Sequence, residues 1–106
     1  MAEKSPRRLK LEQSLALDPS DAFLRYGLAV QCLRDGDIEE GRLRLLELIA
    51  DVPDDVAAHQ QLGQSYMEEG DNAKAQEAFS VGIARAQERG DAKAAGEMQG
   101  FLEQLG

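Results

Sequence analysis

Apolar side chains in this chain fall in short stretches at helical spacing, and turn residues close each stretch. Ser5-Pro6 places proline at a first helical position, and Leu11 and Leu15 then give a stripe to a helix over roughly 6–17. Ser20 and Asp21 open a second helix whose apolar positions Leu24, Leu28 and Val30 to Leu33 run to a stop at Asp35-Gly36. Asp37 is the expected N-cap of a third helix through about Ala50, with Glu40 completing a capping box. Pro53-Asp54-Asp55 breaks and restarts the chain, and a fourth helix ends near Glu69 at Gly70. Asp71 caps a fifth helix that continues to Arg89 before Gly90, and Asp91 caps a last one over 92–105. Six helices joined by short loops predict an all-α fold of antiparallel hairpins.

The punctuation recurs. Pro19 and Pro53 stand 34 residues apart, and so do Gly36-Asp37 and Gly70-Asp71. Shifting by that period aligns Leu28 with Leu62, Ala29 with Gly63, Cys32 with Tyr66, Gly41 with Ala75 and Leu45 with Phe79. In four of these five pairs, all but Cys32 with Tyr66, large matches large or small matches small. A glycine inside a helix costs about 1 kcal/mol against alanine, so Gly63 needs a reason. Close approach of the two helices of a hairpin supplies one, with Ala29 and Gly63, then Gly41 and Ala75, as the contact points.

In the second copy, His59-x-x-Leu62-Gly63-x-x-Tyr66 followed by Ala75-x-x-x-Phe79 resembles the tetratricopeptide repeat, a helix–turn–helix unit of 34 residues. His59 stands where the family usually has tryptophan, and Gln87 where it usually has proline. The first copy is more degenerate, with Arg25, Leu28, Ala29, Cys32, Gly41, Leu45 and Pro53. The resemblance spans nearly the whole chain. It implies a single domain, 1–106, in which 6–19 is the second helix of a partial repeat. The segments 20–53 and 54–87 are then two full repeats, and 91–105 is a capping helix.

Composition narrows the partners. The chain has 106 residues and a net charge of −8, but residues 1–17 are locally +2, which leaves −10 on the rest. So acidic a body repels phosphate backbones, and no nucleic-acid role is expected. The basic start reads as a solvated helix end. No apolar run is long enough for a bilayer and the first residues lack a signal-peptide core, so a cytoplasmic location is expected. The single Cys32 can form no intrachain disulfide.

Candidate chemistry is sparse. One histidine, one cysteine, no phosphate-cradling loop and no oxygen-rich calcium loop point to no catalytic residues, no metal and no cofactor. His59 reads as a packing residue near a helix start and Cys32 as an inert buried thiol. The resemblance implies instead a concave groove lined by the first helix of each hairpin. Mapped by register, it would carry Phe23, Tyr26, Val30 and Leu33, then Ala57, Gln60, Gln64 and Met67, with Met98 from the capping helix. Lysines, arginines and asparagines that would clamp a carboxylate terminus are missing from these positions. What remains suits an apolar helix or an extended segment of a protein partner. The expected function is therefore a non-enzymatic interaction module. The alternative is a homo-oligomer assembled through its terminal helices, with Leu9, Leu17 and the outer face of 92–105 as the edge.

The size code makes one demand that a melt can check. Gly63→Leu should destabilise the protein by about 1–3 kcal/mol or more through overpacking. A melting curve unchanged from the parent would contradict the helix register.

Overall fold

The structure, a computed structural model, describes residues 3–106. Six helices follow one another: α1 (Pro6–Leu17), α2 (Ala22–Arg34), α3 (Ile38–Asp51), α4 (Val56–Glu69), α5 (Asn72–Glu88) and α6 (Ala92–Leu105). The described residues contain no strand. They form two compact units, Met1–Val52 and Pro53–Gly106, so α1 to α3 belong to the first and α4 to α6 to the second.

Local chemistry sets the helix ends. Ser5, Asp21, Asp55, Asp71 and Asp91 each accept a hydrogen bond from the backbone N–H three residues on, which satisfies donors that a helix start leaves open. At Gly36, Gly70 and Gly90 the backbone turns left-handed, with φ of 86°, 85° and 72°, where a side chain would be strained. The expected capping box at α3 does not form. Asp37 makes no side-chain cap. Its carboxylate and that of Glu40 turn instead to the guanidinium of Arg8, an ionic partner stronger than a backbone amide.

In the first unit, α2 packs against both α1 and α3, and Leu28, Ala29, Cys32, Leu45 and Leu48 form the buried interior. Gly41 sits against α2: a Cβ there would lie 2.6 Å from Leu33 Cδ2 and 3.1 Å from the Ala29 carbonyl oxygen. The aligned position in the second unit, Ala75, is fully buried between α4 and α5.

The second unit builds its own core. Val56, Ala75, Phe79, Ala86 and Met98 are buried together, with Ile83, Ala95, Leu102 and Leu105 packed around them. Phe79 lies face to face with Phe101, ring centroids 5.2 Å apart, and presses on Gly63 so closely that a Cβ would meet its ring at 2.5 Å. Gly82 is a second such point, with Met98 Sδ at 2.6 Å and His59 Cβ at 3.0 Å from where its Cβ would be. The repeat pairs Gly82 with Leu48, so the 34-residue alignment does not anticipate this contact. The extra helix α6 creates it, by laying Met98 across α5.

Glycines in α5 and α6 should therefore respond oppositely to one added methyl group. Gly82→Ala should destabilise by about 1–3 kcal/mol, because both neighbours are fixed in a filled core. Gly96→Ala meets nothing within 4 Å and should stabilise by up to about 1 kcal/mol. Chemical denaturation of the two single variants checks the sign of each.

Candidate functional site

On α2, Phe23, Tyr26, Val30 and Leu33 follow one another at intervals of three, four and three residues, which puts them on one side of the helix. Phe23 is 83% exposed, an unusual state for a phenylalanine inside a helix. Tyr26 and Val30 are half-buried. Leu33 is also half-buried, but its Cδ2 is packed into the space that Gly41 leaves, so part of it belongs to the α2–α3 contact. The stripe thus grades from an open aromatic at the helix start to a packed leucine near its end.

On α4, Ala57 is exposed, and Gln60, Gln64 and Met67 are half-buried at intervals of four and three. Met67 packs against the core of the second unit while keeping part of its surface. The two glutamines keep part of their surface open. Met98 is different. It is fully buried, held between Gly82 and the surrounding core, so it stabilises the second unit and has no surface to offer a partner.

Cys32 is buried, and burial pushes its thiol pKa up, away from the reactive thiolate. His59 is also buried, with Nε2 2.8 Å from the Pro53 carbonyl oxygen, so it ties α4 to the loop before it. No group of three or more histidine, cysteine or acidic side chains is placed to hold a metal among the described residues. Nor is any helix among them long and apolar enough to cross a membrane.

Arg8 overturns one expectation. The basic start of the chain is not simply solvated: Arg8 is only 1% exposed. Ser5 opens α1 and seats it, donating from its backbone N–H and its hydroxyl to Asp35 Oδ2 at 3.0 and 2.9 Å. The amide of Gln31 holds the other oxygen of Asp35 at 3.0 Å. One turn on, Arg8 Nη2 lies 3.2 Å from Asp37 and 3.0 Å from Glu40, and Arg44 also pairs with Glu40 at 3.0 Å. The signal in the sequence was an arginine three residues after a serine cap. Its partners lie some thirty residues away, where no local pattern connects them. Burial lowers the Arg8 pKa, but the bond to Asp37 and the charge of Glu40 outweigh it and leave the group above its ordinary value. The Ser5 backbone N–H, then Gln31, hold the Asp35 carboxyl below its usual range. The Arg44 hydrogen bond does the same for Glu40.

Beside this cluster the first unit has a cleft of about 390 Å³, lined by Leu15 and Pro19 on one side and Arg44, Glu47 and Asp51 on the other. Arg25 also lines it and pairs with Asp51 at 2.9 Å, so opposed charges already satisfy each other there.

Known proteins resemble this chain closely. It is 36% identical over 95 residues to a TPR repeat-containing protein of Pseudomonas aeruginosa, a match that covers 90% of each. Among solved structures it is similar to a protein from Bordetella parapertussis, with a TM-score of 0.83 and 29% identity over 95% of this chain and 88% of that one. A tetratricopeptide repeat domain protein from Salinibacter ruber aligns with a TM-score of 0.79 and 30% identity, covering 83% and 89% of the two chains. No family model matches the chain.

The depressed carboxyl groups give a pH dependence with a definite sign. A carboxylate whose pKa is lowered by folding stabilises the protein above its unfolded value, about 4, and loses that contribution as pH falls through the folded value. The docking of α1 should therefore hold from neutral pH to about 4 and weaken below it. Amide hydrogen exchange at pH 7 and pH 3, corrected for intrinsic rates, should show α1 losing protection before α2 and α3.

Proposed function

The chain belongs to the tetratricopeptide repeat family, and on that premise we propose that it is a non-enzymatic module that captures a peptide or helix of a partner protein. Each of the two full repeats, 20–53 and 54–87, would offer its first helix to a partner, with 6–19 as a partial repeat and 91–105 as a capping helix. The observation that carries this reading is the stripe on α2: Phe23 stands open, with Tyr26 and Val30 half-covered beside it. Aromatic side chains left at a surface at this spacing suit an apolar segment, because they gain area on contact while losing little conformational freedom. On α4, Gln60 and Gln64 offer donors and acceptors for a backbone, and Met67 adapts to shape.

A homo-oligomer built through the terminal helices is the second reading, and one end of the chain favours it. Leu17 is 90% exposed at the end of α1, and Leu9 is nearly half exposed. The other end offers less. Every large apolar side chain of α6 is at least partly covered by its own unit, Phe101 and Leu102 included.

A double variant tests the first reading. Tyr26→Ala/Gln64→Ala should weaken capture of partners from a lysate of the native source by roughly tenfold, or about 1.4 kcal/mol, while the melting curve stays two-state. Unchanged capture by a folded double variant would sink the assignment of these residues. Light scattering over a hundredfold range of concentration decides the second reading, which requires growth in size.

A further inference from the structure

The contacts of α1 are unlike those of every other helix in the chain. Among its residues only Arg8 is buried, and none of its apolar side chains is. An isolated helix of this length is marginal in water, so α1 exists because it is docked. Half-buried Leu11, set against Gly27 of α2, helps to dock it, and so does an acidic notch at the α2–α3 turn, formed by Asp35, Asp37 and Glu40 with Gln31 behind them. Two elements enter the notch. The Ser5 backbone N–H and hydroxyl meet Asp35, and the Arg8 guanidinium meets Asp37 and Glu40. The guanidinium is not used up: Nε and Nη1 are buried without a hydrogen-bond partner, Nε lying 3.8 Å from Glu12 on its own helix. Arg44 and the buried Cys32 Sγ also face Glu40, at 3.0 and 3.8 Å, and Lys4 is bound to Glu12 at 3.0 Å.

We propose that this notch is a docking site for a serine-capped, arginine-bearing helix start, filled by the chain's own α1 and open to α1 of a second copy whenever its own is undocked. Charge complementarity singles out the occupant. The N-caps of the other five helices are Asp21, Asp37, Asp55, Asp71 and Asp91, and an aspartate cap facing three carboxylates is repelled. Only α1 begins with an uncharged cap followed by a cation one turn later. A four-residue connection containing Pro19 joins α1 to α2, and short hinges of this kind favour exchange of a terminal element between copies. The notch is a surface separate from the α2 and α4 stripes, so it stands or falls independently of them.

A labelled peptide of residues 3–18, titrated into the 106-residue chain, tests the proposal. The Arg8→Met chain has lost the side chain that fills its own notch, whereas the parent chain keeps it. The wild-type peptide should bind the Arg8→Met chain roughly tenfold or more tightly than it binds the parent. It should also outbind an Arg8→Met peptide by a similar factor, because removing one partner of a buried ion pair is costly. Adding Asp37→Asn and Glu40→Gln to the Arg8→Met chain should abolish the binding. Equal binding to parent and variant chains, equal binding of the two peptides, or no binding to a variant that keeps its α2–α3 helicity would each overturn the proposal. If circular dichroism shows Arg8→Met losing more than one helix, the same comparison is read on Ser5→Ala/Arg8→Lys, which loosens the dock but keeps the charge.

Discussion

Helices in this protein meet where one partner has almost no side chain, and the rest of the structure depends on that closeness. Phe79 can lie flat on α4 only because Gly63 carries no Cβ, and Leu33 can fill the space beside α3 only because of Gly41. Each contact fixes the separation of a hairpin, and the separation fixes which residues face inward. A repeat of 34 residues follows, because the same small and large positions must return each time a hairpin is rebuilt. The partner contact we propose would use the remaining surface of the first helices. Side chains not consumed by the hairpin contact, Phe23 on α2 and Gln60 and Gln64 on α4, are left for something else to use.

The start of the chain is held by different physics. Apolar packing secures the other helices within each unit, whereas α1 adds a buried guanidinium and a serine cap to its half-buried leucines. Ionic docking is specific in geometry but gains little from apolar burial, and its net worth is small once desolvation is counted. That makes α1 the element most easily lifted from its unit, and protonation of its carboxylate partners at low pH should act on α1 first.

The helices and their ends were legible in the sequence because their causes are local. A cap, a glycine or a proline acts within a turn of the boundary it creates, and 6–17, 22–34 and 92–105 could be read within a residue or two. Close packing at Gly63 and Gly41 was legible because the repeat shows each position twice. Three features were not. Gly82 is small on account of α6, which lies outside the repeat, and Met98 is core for the same reason. Arg8 is buried by carboxylates some thirty residues away, and those same carboxylates are withdrawn from the capping box that the local pattern predicts. In each case the decisive neighbour is distant in the chain.

A fold that solves its packing on one side of each first helix can present the other side to a partner, and that is the central claim. Its most direct test is a ¹H–¹⁵N NMR titration of the labelled protein with a segment of a partner captured from the native source. Shifts concentrated at Phe23, Tyr26 and Val30 on α2, and at Gln60, Gln64 and Met67 on α4, are the predicted result. Saturable shifts confined to other surfaces, with these six residues unmoved, would contradict it.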